Sequence, residues 1–312
     1  MIRHLRTIVD LSRAEIEALL ELARLIKRLG LPESYARVTR GKTLGMLFQK
    51  PSTRTRVSFE VGMVQLGGSA IFLTEDSLQL KRGETIADTA AVLSRYLDLI
   101  VLRTRDHGFL VTFAEHASIP VINGLTDQYH PCQILSDLLT IQEKFGGLRG
   151  IKLTYLGDGN NIAHSWLLGA AQLGLRLTVA SPAGYEPEAS IVAQALELAR
   201  ETKAQIEITH DPIAAVQDAD ILYTDVWVSM GMEETRQGGC SAFHPYQING
   251  ALLARTGKPT KVMHCLPAHR GEEITDDVLD SSASIVFDQA ENRLHLQKAL
   301  VTQMLVWAAE RA

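Results

Sequence analysis

The sequence predicts an α/β protein built as two doubly wound parallel-sheet domains with a cleft between them. Three observations lead there. Apolar runs alternate with helical patterns along most of the chain. Many of those runs are apolar nearly throughout, as parallel strands are when both faces are covered. The unusual polar clusters each fall just after such a run, where open parallel sheets bind their ligands. A length of 312 residues is enough for two domains of ordinary size, each with its own core.

The elements follow in order. Residues 10–29 open with Ser12 and Glu15, a capping box, and place Ile16, Leu19, Leu20, Ala23 and Ile26 on one helical face. Residues 42–49 (KTLGMLFQ) read as a buried strand that ends at Lys50-Pro51. Behind it Val57, Val61 and Val64 keep a helical spacing until Gly67-Gly68. Further strands are expected at SAIFLT, DLIVLRT and IPVINGL, then at IKLTYLG, LRLTVAS, AQIEITH, DILYTDVW, KVMHCL and SIVFD. Helices are expected at 132–144, 162–173, 188–202 and 291–310. The Gly-rich stretch 145–150 marks a boundary, giving a first domain 1–145, a second 146–288 and a terminal helix 289–312.

Composition narrows the function. With 46% hydrophobic and 21% charged residues the chain reads as an ordinary globular protein. A net charge of −5 argues against nucleic-acid binding, so its positive charge is expected at one small anionic ligand. No apolar run approaches the roughly 20 residues that span a bilayer, and the N-terminus lacks the apolar core of a signal peptide. Three cysteines (Cys132, Cys240, Cys265) do not make a disulfide framework, and a reducing cytoplasm is expected.

The most informative stretch is Ser52-Thr53-Arg54-Thr55-Arg56, which sets guanidinium and hydroxyl groups where a helix begins. Unpaired N–H groups and the positive end of the helix dipole attract a dianion there, and arginine adds a fork matched to phosphate oxygens. A plain capped helix with solvated arginines is the competing reading. After the fifth strand, 157–161 has a Gly-x-Gly, but Ile162 replaces the third glycine and no acidic residue ends the next strand; a dinucleotide is disfavoured. Asn160 and Asn161 are left as amide donors to a substrate or as helix caps.

His130-Pro131-Cys132-Gln133 opens a helix, where the imidazole can polarise a carbonyl and Gln133 can accept from an amide NH₂. Asp225 at a strand tip suits an ammonium group, with Trp227 and Met230 as candidate walls for an aliphatic chain. Cys265 and His269 have a Cys-x₃-His spacing but no further pair to complete a zinc site, so no metal is expected. The Leu266-Pro267 bond is a candidate cis peptide. Arg293, near the start of the last helix, is either a further anion contact or a surface ion pair.

Taken together STRTR, HPCQ, 225–231 and HCLP, with the longer phrases NGLTDQYHPCQ, GDGNNIAHS and DVWVSMG, resemble the ornithine carbamoyltransferases over most of the chain. The resemblance implies transfer of a carbamoyl group from carbamoyl phosphate to the δ-amine of L-ornithine, without a cofactor. It implies a first domain for carbamoyl phosphate, a second for the amino acid, and a C-terminal helix returning to the first. The assembly implied is a homotrimer with shared active sites. Carbamoyl phosphate residues carry over onto Ser52, Thr53, Arg54, Thr55, Arg103, His130, Gln133, Cys265, Leu266 and Arg293, and onto Gln79, reaching in from the neighbouring subunit. Ornithine residues carry over onto Asn161, Asp225, Ser229 and Met230. Thr55, Arg103, His130 and Cys265 stand nearest the reacting atoms in that scheme. Rival acceptors are aspartate, putrescine and an N-acylated ornithine; a binding protein without turnover is the rival from another class.

Overall fold

The computed structural model describes residues 2–227 and 240–310. The chain forms two compact units, Met1–Thr140 with Glu291–Ala312, and Ile141–Ala290. In the first, β1 (Thr43–Phe48), β2 (Ser69–Thr74), β3 (Leu99–Arg103) and β4 (Val121–Leu125) make an all-parallel sheet in the order β2-β1-β3-β4. In the second, β5 (Lys152–Leu156), β6 (Arg176–Ala180), β7 (Gln205–Thr209), β8 (Ile221–Thr224) and β9 (Lys261–His264) make a parallel sheet in the order β7-β6-β5-β8-β9. Both sheets are doubly wound, as the apolar runs predicted.

Each order contains a switch point where the chain reverses its direction of travel across the sheet. It lies between β1 and β3 in the first unit and between β5 and β8 in the second. At a switch point the connections leave the carboxyl ends on opposite sides, which opens a crevice. The run SIVFD does not form the strand expected of it. Ser284 makes one bridge to Val262, and a helix, Val286–Ala309, begins immediately. The side chain of Gln289 explains the stop: its Oε1 accepts from the backbone N–H of His264, closing the end of β9 that another strand would extend.

Local chemistry sets the helices that matter. Helix Arg13–Leu29 starts at the Ser12–Glu15 capping box and buries Ile16, Leu19, Leu20, Ala23 and Ile26. Helix Thr53–Gln65 is capped by Ser52, whose Oγ accepts from the Thr55 N–H. It is held by Phe59 and Met63, each 1% exposed, whereas Val57, Val61 and Val64 face outward. The helical spacing of the valines is real, but it marks an outer stripe. The C-terminal helix buries Leu296, Leu300 and Met304, and Trp307 lies under the Arg3 guanidinium at 3.9 Å. The core on one face of the first sheet gathers Leu47, Ile100, Leu102, Leu110 and Phe113; the second unit gathers Leu156, Leu222, Ile248, Val262 and Val278. The Leu266-Pro267 peptide is cis. Among the described residues no helix is long and apolar enough to cross a membrane.

Candidate active site

The first unit concentrates its polar residues around the switch point. Strand β1 leads directly into the Ser52 cap, and Arg103 is the last residue of the adjacent β3, in register with Phe48. Its carbonyl accepts from Gln49 N–H at 2.8 Å, which ties the two strand ends together. Thr55 is fully buried, and its Oγ1 accepts from Nη2 of Arg293 at 2.6 Å. Arg103, His130, Gln133 and Arg293 are all buried, while Arg54 is half-buried and Thr53 exposed. Ser52 therefore works as the helix cap, which is the plain reading of that residue; of the two arginines beside it Arg54 is half-buried, whereas Arg56 is exposed and pairs with Glu60 on the surface.

His130 precedes helix Pro131–Phe145 and follows β4. Burial holds its pKa well below the ordinary histidine value, and the positive charges of Arg293, Arg103 and Arg54 push it the same way. An imidazole kept from protonation in the field of three guanidinium groups makes a local surrounding suited to negative charge, the arginines carrying the charge and the histidine a dipole. Gln79 begins a short helical turn, Gln79–Arg82, and is exposed on this unit.

In the second unit Asp225 follows β8 and is buried, with both oxygens occupied. Its Oδ1 accepts from the Cys265 thiol at 2.9 Å and its Oδ2 from Nδ2 of Asn160 at 2.8 Å. Asn160 is also the cap of helix Asn161–Leu173: its Oδ1 accepts from the Ile162 and Ala163 N–H groups and from the Tyr155 hydroxyl. Asn160 thus crosses the second switch point, from β5 to β8, and fixes the carboxylate. Asn161 is the first residue of that helix and is half-buried. The Gly-x-Gly has its own explanation: Gly159 N–H donates to Tyr185 O, and a Cβ there would overlap the backbone of Glu186 and Pro187.

Cys265 and Leu266 sit just past β9. The Leu266 N–H donates to Nδ1 of His264, whose Nε2–H in turn donates to Glu273, the ring and the carboxylate both fully buried. The thiol faces a carboxylate and donates to it. The ligand atoms of Asp225, His264 and Cys265 lie within 4.8 Å of one another, but both histidine nitrogens and both carboxylate oxygens are engaged in the hydrogen bonds just given. Ser229 and Met230 lie outside the described residues.

Of the two sequence readings of Asn160, the helix cap is the one found. Sequence reasoning misses two participants. Tyr155 reads there only as strand. Asp137, one helical turn beyond Gln133, receives Gln133 Nε2–H at 2.8 Å; the i, i+4 spacing is the signal that would have found it.

Two parallel α/β units, one gathering arginines at its switch point and the other a fixed carboxylate, define a group-transfer enzyme with one anionic and one cationic substrate. The chain belongs to the aspartate/ornithine carbamoyltransferase family: the model of the carbamoyl-P binding domain matches residues 3–143, and that of the Asp/Orn binding domain matches residues 149–304. It is 54% identical over 300 residues to an ornithine carbamoyltransferase of Anoxybacillus flavithermus, covering 96% of this chain and 95% of that one. Among solved structures it resembles the ornithine carbamoyltransferase of Pyrococcus furiosus, with a TM-score of 0.90, 51% identity and 96% of each chain covered. The anabolic ornithine carbamoyltransferase of Campylobacter jejuni is similar at a TM-score of 0.91 and 36% identity, covering 97% of this chain and 99% of that one.

Proposed function

We propose that this chain is an ornithine carbamoyltransferase, making L-citrulline and phosphate from carbamoyl phosphate and L-ornithine. The observation that carries the choice of acceptor is Asp225, a buried carboxylate held from both sides by Asn160 and Cys265; in this reading it receives the α-ammonium group. Aspartate as acceptor would bring a second carboxylate toward Asp225. An N-acylated ornithine would leave it without a cation, an expensive state for a buried charge. Putrescine has no α-carboxylate for Asn161 to recognise.

The first unit holds the donor. Arg54 and the helix N-terminus after Ser52, with Thr53, Arg103 and Arg293, take the phosphate; Gln133 accepts from the carbamoyl NH₂, and Cys265 and Leu266 attend the carbamoyl end. Thr55, Arg103 and neutral His130 face the carbonyl oxygen. Asn161, Asp225, Ser229 and Met230 hold ornithine. The δ-amine, whose conjugate acid has a lysine-like pKa near about 10.4, attacks after losing a proton. Its nitrogen bonds to the carbamoyl carbon, negative charge collects on the carbonyl oxygen, and the C–O bond to phosphate breaks. One donor oriented toward that oxygen stabilises the transition state by about 2.7–4 kcal/mol. Carbamoyl phosphate binds first in this scheme, because it completes the electrostatic surroundings the amine meets.

The working assembly is a cytoplasmic homotrimer in which Gln79 of one subunit enters its neighbour's site. The outward stripe of Val57, Val61 and Val64 and the exposure of Gln79 support this reading. A colorimetric citrulline assay tests the function: product is expected with ornithine, with carbamoylation of putrescine, aspartate and N-acetylornithine measured in parallel. Faster turnover with any of those three would overturn the acceptor assignment. Sedimentation equilibrium giving a monomer would overturn the trimer.

A further inference from the structure

Gln133 and Asp137 stand one turn apart on helix Pro131–Phe145, buried to 1% and 0% exposure. Nε2 of Gln133 donates to Oδ1 of Asp137 at 2.8 Å. With the NH₂ half of the amide as donor, the carboxylate oxygen serves as acceptor, the role a carboxylate fills in full when it carries no proton. The other half, Oε1, is buried with no hydrogen-bond partner among the described residues. A buried acceptor without a donor is costly until something fills it.

We propose that Asp137 is a positioning residue that locks the Gln133 amide with its oxygen toward the donor substrate, and so makes the site select a carbonyl flanked by NH₂ over one flanked by methyl. This rests on the reading above, in which Gln133 meets the carbamoyl group. An NH₂ and a methyl group differ little in size, and an apolar pocket would separate them weakly. A lone acceptor separates them well, because a methyl leaves it unpaired. The acceptor stays fixed only while its other half is held by a group that cannot donate. An asparagine in place of Asp137 can donate, so the Gln133 amide is free to turn over and present NH₂ where the substrate also presents NH₂.

The test uses two stable phosphonates on the intact enzyme, phosphonoacetamide with the NH₂ and acetonylphosphonate with the methyl, titrated calorimetrically. Wild type is expected to prefer the amide. Asp137→Asn should lower that preference about tenfold, through weaker phosphonoacetamide binding with acetonylphosphonate unchanged. The double variant Gln133→Glu with Asp137→Asn keeps the same total charge. There the introduced amide donates to one oxygen of the introduced carboxylate and leaves the other as the acceptor, so the preference should return. An unchanged ratio in Asp137→Asn, or equal losses for both probes, would overturn the proposal. If Asp137→Asn fails to fold, the double variant decides alone: its preference must match that of the wild type, and a ratio near one overturns the proposal. Wild type that binds neither phosphonate and makes no citrulline would instead remove the underlying functional reading.

Discussion

Arg293 donates to the Thr55 hydroxyl at 2.6 Å, joining the C-terminal helix to the helix that follows the first strand of the protein. The guanidinium is buried, and it also contributes to the field that keeps His130 neutral. One side chain therefore acts on both the Thr55 hydroxyl and the His130 imidazole.

Arg293→Lys retains the charge but loses the planar fork and its directed bond to Thr55. The KM for carbamoyl phosphate is expected to rise about tenfold with little change in the KM for ornithine. Arg54→Ala should abolish measurable carbamoyl phosphate binding. Steady-state kinetics with each substrate varied in turn, together with phosphate inhibition, check both; unchanged phosphate inhibition in Arg54→Ala would remove the anion seat from the scheme.

Asp225→Asn should act on the other substrate. Losing a hydrogen bond to a charged group costs about 1.5–3 kcal/mol, so the KM for ornithine should rise about 10- to 150-fold while carbamoyl phosphate affinity stays within about twofold. Titration calorimetry with phosphonoacetamide monitors the second quantity. Parallel loss of both affinities would mean that the carboxylate serves folding.

Acid should weaken the first unit. His130 is held below its ordinary pKa by burial and three arginines; burial is also the leading cause for His4, lowered to about 4, and for His107 and His295. A histidine that resists protonation when folded takes its proton more readily when unfolded, so stability falls as pH drops below about 6.5. Melting temperatures across roughly pH 7.5 to 4.5 should decline, and His4→Asn should flatten the decline. A flat profile in the wild type would refute the burial assigned to these rings.

Gly159→Ala should damage the second unit without touching the first. The added methyl meets the backbone of Glu186 and Pro187, and displacing that loop costs about 1–3 kcal/mol. Because Asn160 is the next residue and fixes Asp225, ornithine affinity should fall along with the melting temperature. Carbamoyl phosphate binding should be retained, as measured by calorimetry.

Much of this was legible beforehand because parallel strands write themselves as apolar runs. Nine of the ten expected runs are strands, and polar residues after β1, β3, β4, β5, β8 and β9 do sit at strand ends. SIVFD failed because five residues cannot separate a strand from the first turn of a helix; the buried positions 286, 289, 293, 296 and 300 have helical spacing that only the longer window reveals. Ser52 and the valines show a second limit. A cap and a ligand contact use the same residue types, and periodicity gives a stripe without saying which side it faces. The bond from Asn160 to Asp225, Asp137 and the His264–Glu273 pair are hidden for a further reason: these are contacts between side chains, set by distances in space that chain order does not state.

Closing the first unit with residues 291–312 fixes the order in which it can be completed during synthesis. A ribosome must finish the whole of the second unit before Arg293 exists. Until then the nascent first unit lacks the guanidinium that bonds Thr55. A message cut short just before codon 293 would leave Thr55 without its buried partner and His130 without one of the charges that face it.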